Sequence, residues 1–531
     1  MARALAIVFA LIAACGLLGG AGCGAAKGAG GSSGTGGAGG AAGASGASGR
    51  GGVGEAGGTG GGLAGTGGSG AVAGGSGTTG TGGGAGDAGT TGSAGGAGTA
   101  GTAGVGGTSA AGGAGGGGGT SGVVACMFDV KSSLSTAIPT VGIVTFTTDL
   151  AAMTGAEIRF GLASTGPTMT APVDLARPDY RTLLLGMKGS SPYVFRIVAT
   201  SAAGTCTSAD YTLMTGPVPA TVPNRTPTMR DASRQARGFI LTSSTSGIGP
   251  VFIIDTDGAP VWWMTAPFQG TATRAHMSWD GNDMYLVWGN AAGASGDVAR
   301  ISMDGLTVEQ KLSGLNTAHH DLTAIPGGVA TLVTANGNAV VERSGDGTIT
   351  TAVPDLAAVY GVGGHVNSIH YDPSDDTYTV GDSGRHLYTK ITRKGDMVWQ
   401  FGGGTANDPS KGFQGVPRWN ISHGHHFLSD GTLAFFDNDF GGASATTAAR
   451  VFKLDTTTMT AMSVRTYQSG VSSQTLGDVQ ILRNGDVLMT IREGGTIREI
   501  DPSGGIVALY PLGIPLGYSE FRESLYGPPP Y

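Results

Sequence analysis

From Gly238 to the C-terminus, apolar and polar residues alternate in short runs of strand length, and the runs come in pairs around Asp/Gly turns. Val251-Phe-Ile-Ile-Asp-Thr-Asp257-Gly258-Ala-Pro-Val-Trp-Trp263 is one such hairpin. Others centre on Asp304-Gly305, Asp346-Gly347, Gly395-Asp396, Asp455 and Asp501–Gly505. Alternation of period two around a tight turn is the signature of an antiparallel hairpin with one buried face. The turns fall near 257, 304, 346, 395, 455 and 503, at spacings of 47, 42, 49, 60 and 48 residues. A second set of turns interleaves with them: Asp280-Gly281, Gly327-Gly328, Asp375-Asp376, Asp430-Gly431 and Asn484-Gly485. Four strands per ~40–50 residues is the period of a propeller blade. Six copies predict an all-β, six-bladed β-propeller over 236–531. A two-sheet solenoid is the alternative, although its repeats are usually shorter.

Ahead of the propeller, Val123–Pro217 also alternates: Val141–Thr148, Glu157–Phe160 and Pro192–Thr200 read as strands of a small β-sandwich. Its closing strands, with Tyr193 at the corner position, resemble the end of a fibronectin type III domain. The tryptophan usual in that fold is missing, since all six tryptophans lie from Trp262 onward. Thr215–Ala236 carries four prolines, Pro217, Pro219, Pro223 and Pro227, so residues 218–235 read as a linker.

Composition changes the picture at the N-terminus. Of the 531 residues 102 are glycine, and 49 of these fall within the 99 residues from 24 to 122. With almost no large apolar side chain, that stretch cannot offset its ordering entropy and reads as a disordered linker. It has no G-X-Y period and so is not collagen. As a flexible coil it would span roughly 55 Å; a surface coat or adhesive segment is the alternative. Residues 1–23, with Arg3 and the apolar run Ala4–Ala14, read as an export signal too short for a membrane span. Ile12-Ala-Ala-Cys15 and Gly20-Ala-Gly-Cys23 each resemble a bacterial lipoprotein signal. That resemblance implies lipid on Cys23 or Cys15 and an exported, envelope-anchored chain, periplasmic or at the cell surface. A plain secretory peptide or an uncleaved anchor is the other reading. The remaining cysteines, Cys126 and Cys206, lie in the first folded segment of an exported chain, so a disulfide is expected, with two buried thiols as the alternative. A net charge of −7 without a basic run argues against nucleic acid as the main partner.

All nine histidines fall between 276 and 426. His276, His320, His365 and His423 recur at the start of consecutive repeats, where the innermost strand of a blade lines the channel, so their imidazoles are expected to converge. Converging imidazoles suit a metal, an anion or nucleophilic and acid–base chemistry. The bland reading, satisfied structural histidines, holds best for any single one. Nearby stand Asn367 and Arg385; an arginine fork suits an oxyanion and is no metal ligand. Trp399, Trp419 and Tyr388 read as core, with an aryl pocket as the alternative.

The order His319-His320-Asp321, His365-x-Asn367-Ser368, Arg385, Trp399-x-x-Gly402-Gly403, then His423 ahead of Asp430-Gly431 and Phe436-Asp437-Asn438, with the closing Phe521–Tyr526, resembles the bacterial arylsulfate sulfotransferases that work without a nucleotide sulfate. The resemblance spans roughly 238–526. It implies a six-bladed propeller behind a β-sandwich, an aryl sulfate donor, a phenolic acceptor and no cofactor or metal. It also implies that His423 is the nucleophile that becomes sulfated. His365, Arg385, Asn367 and His320 (or its neighbour His319) would hold the sulfuryl oxygens. The segment Ser422-His-Gly-His-His426 departs from the family's usual run, so His425 or His426 could be the matching residue; counting back from Asp430-Gly431 selects His423. His276 enters from repeat position alone. Neither a G-x-x-x-x-G-K-[ST] loop nor Cys-x-Pro-x-Arg is present, so two other sulfur-handling routes lack their motifs. The competing classes are a surface-tethered binding or adhesion propeller and a metal-dependent propeller enzyme. In the latter, four histidines from four blades would hold Fe(II), or His423, His425 and His426 would hold zinc.

Overall fold

In the computed structural model, the described residues run from 122 to 529, apart from short segments at 247–250, 265–267, 269, 290–295, 335–337, 361–363, 403–408, 414–415, 417–418 and 441–445. The export segment, Cys15, Cys23, the Gly-rich stretch up to 121 and Gly403 lie outside the described residues.

Six sheets of antiparallel strands follow one another as blades. Blade 2 (Thr271–Met277, Asp283–Gly289, Gly296–Ser302, Val308–Glu309) and blade 3 (Ala318–Ile325, Gly328–Val333, Ala339–Ser344, Ile349–Val353) are joined by one pairing, Gly296 with Ala318. Blade 4 comprises Val366–Asp372, Thr377–Asp382, Leu387–Thr392 and Met397–Gly402. Blade 5 comprises Ser422–Phe427, Thr432–Phe440, Thr446–Asp455 and Thr460–Gln468. Blade 6 comprises Asp478–Ile481, Val487–Ile491, Thr496–Ile500 and Ile506–Pro511. Blade 1 closes the ring: its innermost strand is the C-terminal Leu516–Arg522, paired with Phe239–Ser244, outside which lie Val251–Asp255 and Pro260–Met264. The six Asp/Gly hairpins read from the sequence are the outer two strands of each blade. The five interleaved turns join the inner two. There are five because blade 1 takes its inner strand from the far end of the chain. Met229–Arg230, within the expected linker, instead pairs with Ile506–Pro511 as an extra edge strand of blade 6.

Inner strands put polar side chains on the axis, where water is scarce, so each polar group needs a partner in a neighbouring blade. They find them in sequence around the ring. Thr273 donates to the His320 carbonyl at 2.7 Å, His319 Nδ1 to Val366 O at 2.9 Å, and Asn367 Nδ2 to Ser422 O at 2.7 Å. Ile481 N–H donates to His426 Nδ1, and Gln480 exchanges two bonds with the backbone of Phe521. Across the middle runs Arg274, whose Nε meets Asp321 at 2.6 Å while Nη1 meets Asp478 at 2.8 Å and Ser519 O at 3.0 Å. One guanidinium therefore ties blades 2, 3, 6 and 1. Burial and the nearby Asp321 carboxylate push Asp478 up to about 6 despite Arg274. Gly424 permits the approach of blade 5 to blade 6: a Cβ there would stand 2.1 Å from Asp478 Oδ1 and 2.7 Å from its Cα.

The N-terminal sandwich packs Phe128–Leu134, Gly142–Thr148 and Thr182–Leu184 against a second sheet led by Met153–Leu162 and Pro192–Ser201. Its core holds Val144, Phe146, Ile158, Phe160, Phe195 and Ile197. Tyr193 receives the Lys188 N–H at 2.8 Å on its hydroxyl, the bond of a corner tyrosine. The expected Cys126–Cys206 disulfide is present. Sandwich and propeller pack together: Thr140 donates to Val261 O, Lys188 pairs with Asp255, and the Tyr526 hydroxyl bonds both Leu185 N–H and Leu183 O. Ile138, Val141 and Leu185 belong to the same apolar core as Trp262 and Ile301 of blades 1 and 2.

Arg274→Met leaves Asp321 and Asp478 buried without their shared cation. It is expected to destabilise the fold by about 3–5 kcal/mol in urea unfolding at pH 7; a loss below ~1 kcal/mol would show that the strut is dispensable.

Candidate active site

Inner strands of the propeller carry a recurrent irregularity. Their pairing slips between Ala272 and Arg274, Ala318 and Leu322, Val366 and Ser368, and His423 and His425. A bulge re-aims side chains that strict alternation would send to opposite faces. In blade 3 it is widest: residues 319–321 have no strand partner, and His320 sits in the left-handed region at φ +57°. The adjacent His319 and His320 therefore lie ring to ring, with centroids 4.2 Å apart.

His365, just before the inner strand of blade 4, joins them at 4.9 Å from His319 and 5.1 Å from His320. His423 stands 5.8 Å from His320. Four imidazoles from three blades thus meet at one mouth of the channel. His319, His320 and His423 are buried, and His365 is exposed.

Their hydrogen bonds fix where the protons are. Asn438 donates through Nδ2 to Ser473 O (2.7 Å) and Leu476 O (2.8 Å), both acceptors only. Its Oδ1 must then face His423 Nδ1, 2.7 Å away, so Nδ1 carries the hydrogen and Nε2 a free lone pair. His319 likewise donates Nδ1–H to Val366 O, which bares its own Nε2. His320 and His365 meet Nε2 to Nε2 at 3.1 Å, with room for one proton between them. Burial is the largest cause holding all four below the usual imidazole range, with neighbouring rings adding to it for His319, His320 and His423. His319 and His423 are depressed to about 4. At neutral pH the cluster is uncharged.

Asp382 positions the blade 4 contribution. Its Oδ1 accepts the backbone N–H of His365 at 2.8 Å and of Arg385 at 3.0 Å. Gly364 leaves room for it, since a Cβ there would fall 1.9 Å from Asp382 Oδ2. Burial raises the Asp382 carboxyl above its usual range, and the backbone N–H bonds with the charge of half-buried Arg385 act against that rise. Asn367, fully buried, uses an amide hydrogen on the Ser422 carbonyl, next to His423.

His276, expected to converge with the others, does not. It lies at the opposite end of its strand, with Nδ1 3.0 Å from Met277 O and 3.5 Å from Glu520. There it lines a small cavity with His370, His425 and His426. Because a blade's inner strand crosses the full depth of the ring, repeat position fixed the strand but not the height along the axis. His425 bonds Ser368 Oγ and Thr379 Oγ1, and His426 accepts from Ile481 N–H, so both serve blade contacts away from the cluster. The four-blade iron set and the 423/425/426 zinc set of the competing metalloenzyme reading are therefore not assembled. Trp399, Trp419 and Tyr388 pack together in the blade 4–5 core. The sequence reading missed Asn438 as a functional residue; it stands two residues beyond Phe436, the register partner of His423. It also missed Glu493, whose charge raises His423 slightly against burial.

A family model described as arylsulfotransferase (ASST) matches residues 354–511, which include His365, Asn367, Arg385, His423 and Asn438 but not His319 or His320. No curated protein matches. Among solved structures, the chain is similar to a protein of unknown function from Bacteroides caccae at 12% identity and TM-score 0.37, over 54% of this chain and 98% of that one. It is also similar to a streptogramin B lyase at 14% identity and TM-score 0.36, over 54% and 84%. A third is a virginiamycin B lyase from Staphylococcus aureus at 16% and 0.34, over 54% and 88%. At these values they carry no functional argument.

Histidines held neutral by burial couple folding to pH. Between about 6.5 and 4 the unfolded chain takes up protons that the folded chain refuses, so stability falls as pH drops. The urea midpoint is expected to be lower at pH 5 than at pH 7, and the ring resonances of His319 and His423 should not titrate above pH 5. A midpoint that rises towards pH 5 would contradict the neutral cluster.

Proposed function

We propose that this chain, an arylsulfotransferase-family member through residues 354–511, transfers a sulfuryl group from an aryl sulfate to a phenolic acceptor through a sulfohistidine at His423. The family moves sulfuryl groups between aryl compounds. The finer reading rests on one observation: Asn438 holds His423 in the tautomer that leaves Nε2 with a lone pair, on a ring 5.8 Å from that of His320.

A neutral imidazole is the reactive form. His423 Nε2 attacks sulfur, an N–S bond forms, and the S–O bond to the aryl group breaks. The phenolate leaves with that electron pair and takes a proton from a cluster imidazole that gained it when the anionic donor bound. A phenol then gives its proton back to that imidazole, and its oxygen attacks sulfur as the N–S bond breaks. A sulfuryl group in flight is planar and negative, so catalysis is largely positioning and charge stabilisation. Arg385 supplies a permanent positive charge. His320 and His365 share too few protons to donate to several oxygens at once, so donor binding brings protons with it, and affinity for the aryl sulfate should weaken as pH rises. Asn367 acts through Ser422, by fixing the strand that presents His423. The leader, Cys15 or Cys23, and the Gly-rich segment support an exported chain tethered to a membrane of the cell envelope; that part of the proposal stands on the sequence alone.

The full-length protein is expected to release nitrophenol from 4-nitrophenyl sulfate in a phenol-dependent reaction. His423→Ala should abolish release. Asn438→Ala should lower kcat by about 10²-fold through misorientation of His423, with little change in KM. Phenol-independent release, or turnover that survives His423→Ala, would overturn the proposal and favour the binding propeller or another nucleophile.

A further inference from the structure

Sulfuryl transfer leaves one feature of the cluster without a role. His319 lies outside the matched segment, is buried, and is brought against the rings of His320 and His365 by a wide bulge that places His320 at positive φ. Strain of this kind persists where the surrounding structure enforces it, commonly at binding sites.

The cluster is rich in acceptors. His319 and His423 both have their hydrogen on Nδ1, committed to Val366 O and Asn438 Oδ1, and present bare Nε2 atoms. His320 and His365 share the space of one proton. One ligating nitrogen from each of His319, His320 and His365 lies within 4.8 Å of the others, and the His320–His365 pair is already at 3.1 Å. Tetrahedral zinc with Zn–N bonds of about 2.0–2.1 Å separates its ligand nitrogens by roughly 3.3–3.4 Å. The bond from His319 Nδ1–H to a backbone carbonyl is the contact that orients metal-bound imidazoles. His365, on the exposed edge, gives an entry path.

We propose that His319, His320 and His365 bind a divalent first-row transition ion such as zinc, with an open coordination position towards His423. Binding moves the hydrogen between His320 and His365, by exchange through solvent, to Nδ1 of the ring that carries it, which frees both Nε2 lone pairs and leaves three neutral ligands on the ion. The same lone pairs cannot then hold protons for a sulfuryl oxygen, so the metal and the aryl sulfate compete for this mouth. The metal site itself does not depend on the sulfuryl-transfer reading.

Cobalt(II) is the probe, added to the chelator-stripped full-length protein. One equivalent should bind with the visible d–d bands of nitrogen-ligated four- or five-coordinate cobalt, and zinc should displace it. His365→Ala, at the exposed ligand, should weaken binding by more than about 100-fold while the circular dichroism spectrum stays that of the parent. His370→Ala and His426→Ala, at the opposite mouth, should keep the bands. Absence of bands, bands that persist in folded His365→Ala, or bands lost in folded His370→Ala would overturn the site. Bands on adding cobalt, with no aryl sulfate turnover by the metal-free protein, would sink the sulfuryl reading alone; turnover by the metal-free protein with no bands on adding cobalt would sink the metal site alone.

Discussion

Arg274 stands at the centre of the ring and satisfies what no single blade can. Six inner strands put hydroxyls, amides, carboxylates and imidazoles on one axis, and a buried polar group without a partner costs about 1–3 kcal/mol. The guanidinium answers two carboxylates and one carbonyl from three other blades. Asp321 passes the constraint on by accepting the backbone N–H of Ile369 in blade 4. The smaller links from Thr273, His319, Asn367, His426 and Gln480 complete the ring. Several of these residues flank the imidazole cluster, so blade register and site geometry are set by the same bonds. His319 is the clearest case: its Nδ1–H holds blade 4 in place, and that bond is what bares its Nε2.

The four imidazoles are kept neutral by the packing that brings them together. Burial and mutual proximity both disfavour the charged ring, and Asn438 and Val366 O decide which nitrogen is left open. A cluster of this kind is short of protons and long on lone pairs. It suits a nucleophilic nitrogen, and it suits a cation equally. An anionic substrate has to bring protons or depend on Arg385. This tension is why the two proposed chemistries, sulfuryl transfer and metal binding, would exclude each other at this cluster.

Much of this was legible in the sequence, and the limits have physical causes. The Asp/Gly turns gave the hairpins because a tight turn needs particular residues. Blade closure by Leu516–Arg522 was not legible, since a strand's partner three hundred residues away leaves no local trace. The missing sixth inner turn was its one sign. His320, His365 and His423 were found from repeat position and from the family resemblance, whereas His276 was misplaced because period does not encode height along the axis. The bulge that brings both His319 and His320 to the cluster has no residue signature, as the left-handed position is taken by a histidine and not a glycine. Asn438 was in view within the quoted Phe-Asp-Asn run, but its role needed the carbonyls of Ser473 and Leu476, which belong to a distant loop.

The central claim is that a neutral His423, oriented by Asn438, attacks sulfur. Rapid mixing of the full-length protein with 4-nitrophenyl sulfate, without acceptor, tests it most directly. The account predicts a burst of nitrophenolate equal to one per protein, with the peptide carrying His423 heavier by one sulfuryl group and losing it when phenol is added. A burst with the group on another residue, or steady release with no covalent intermediate, would contradict it.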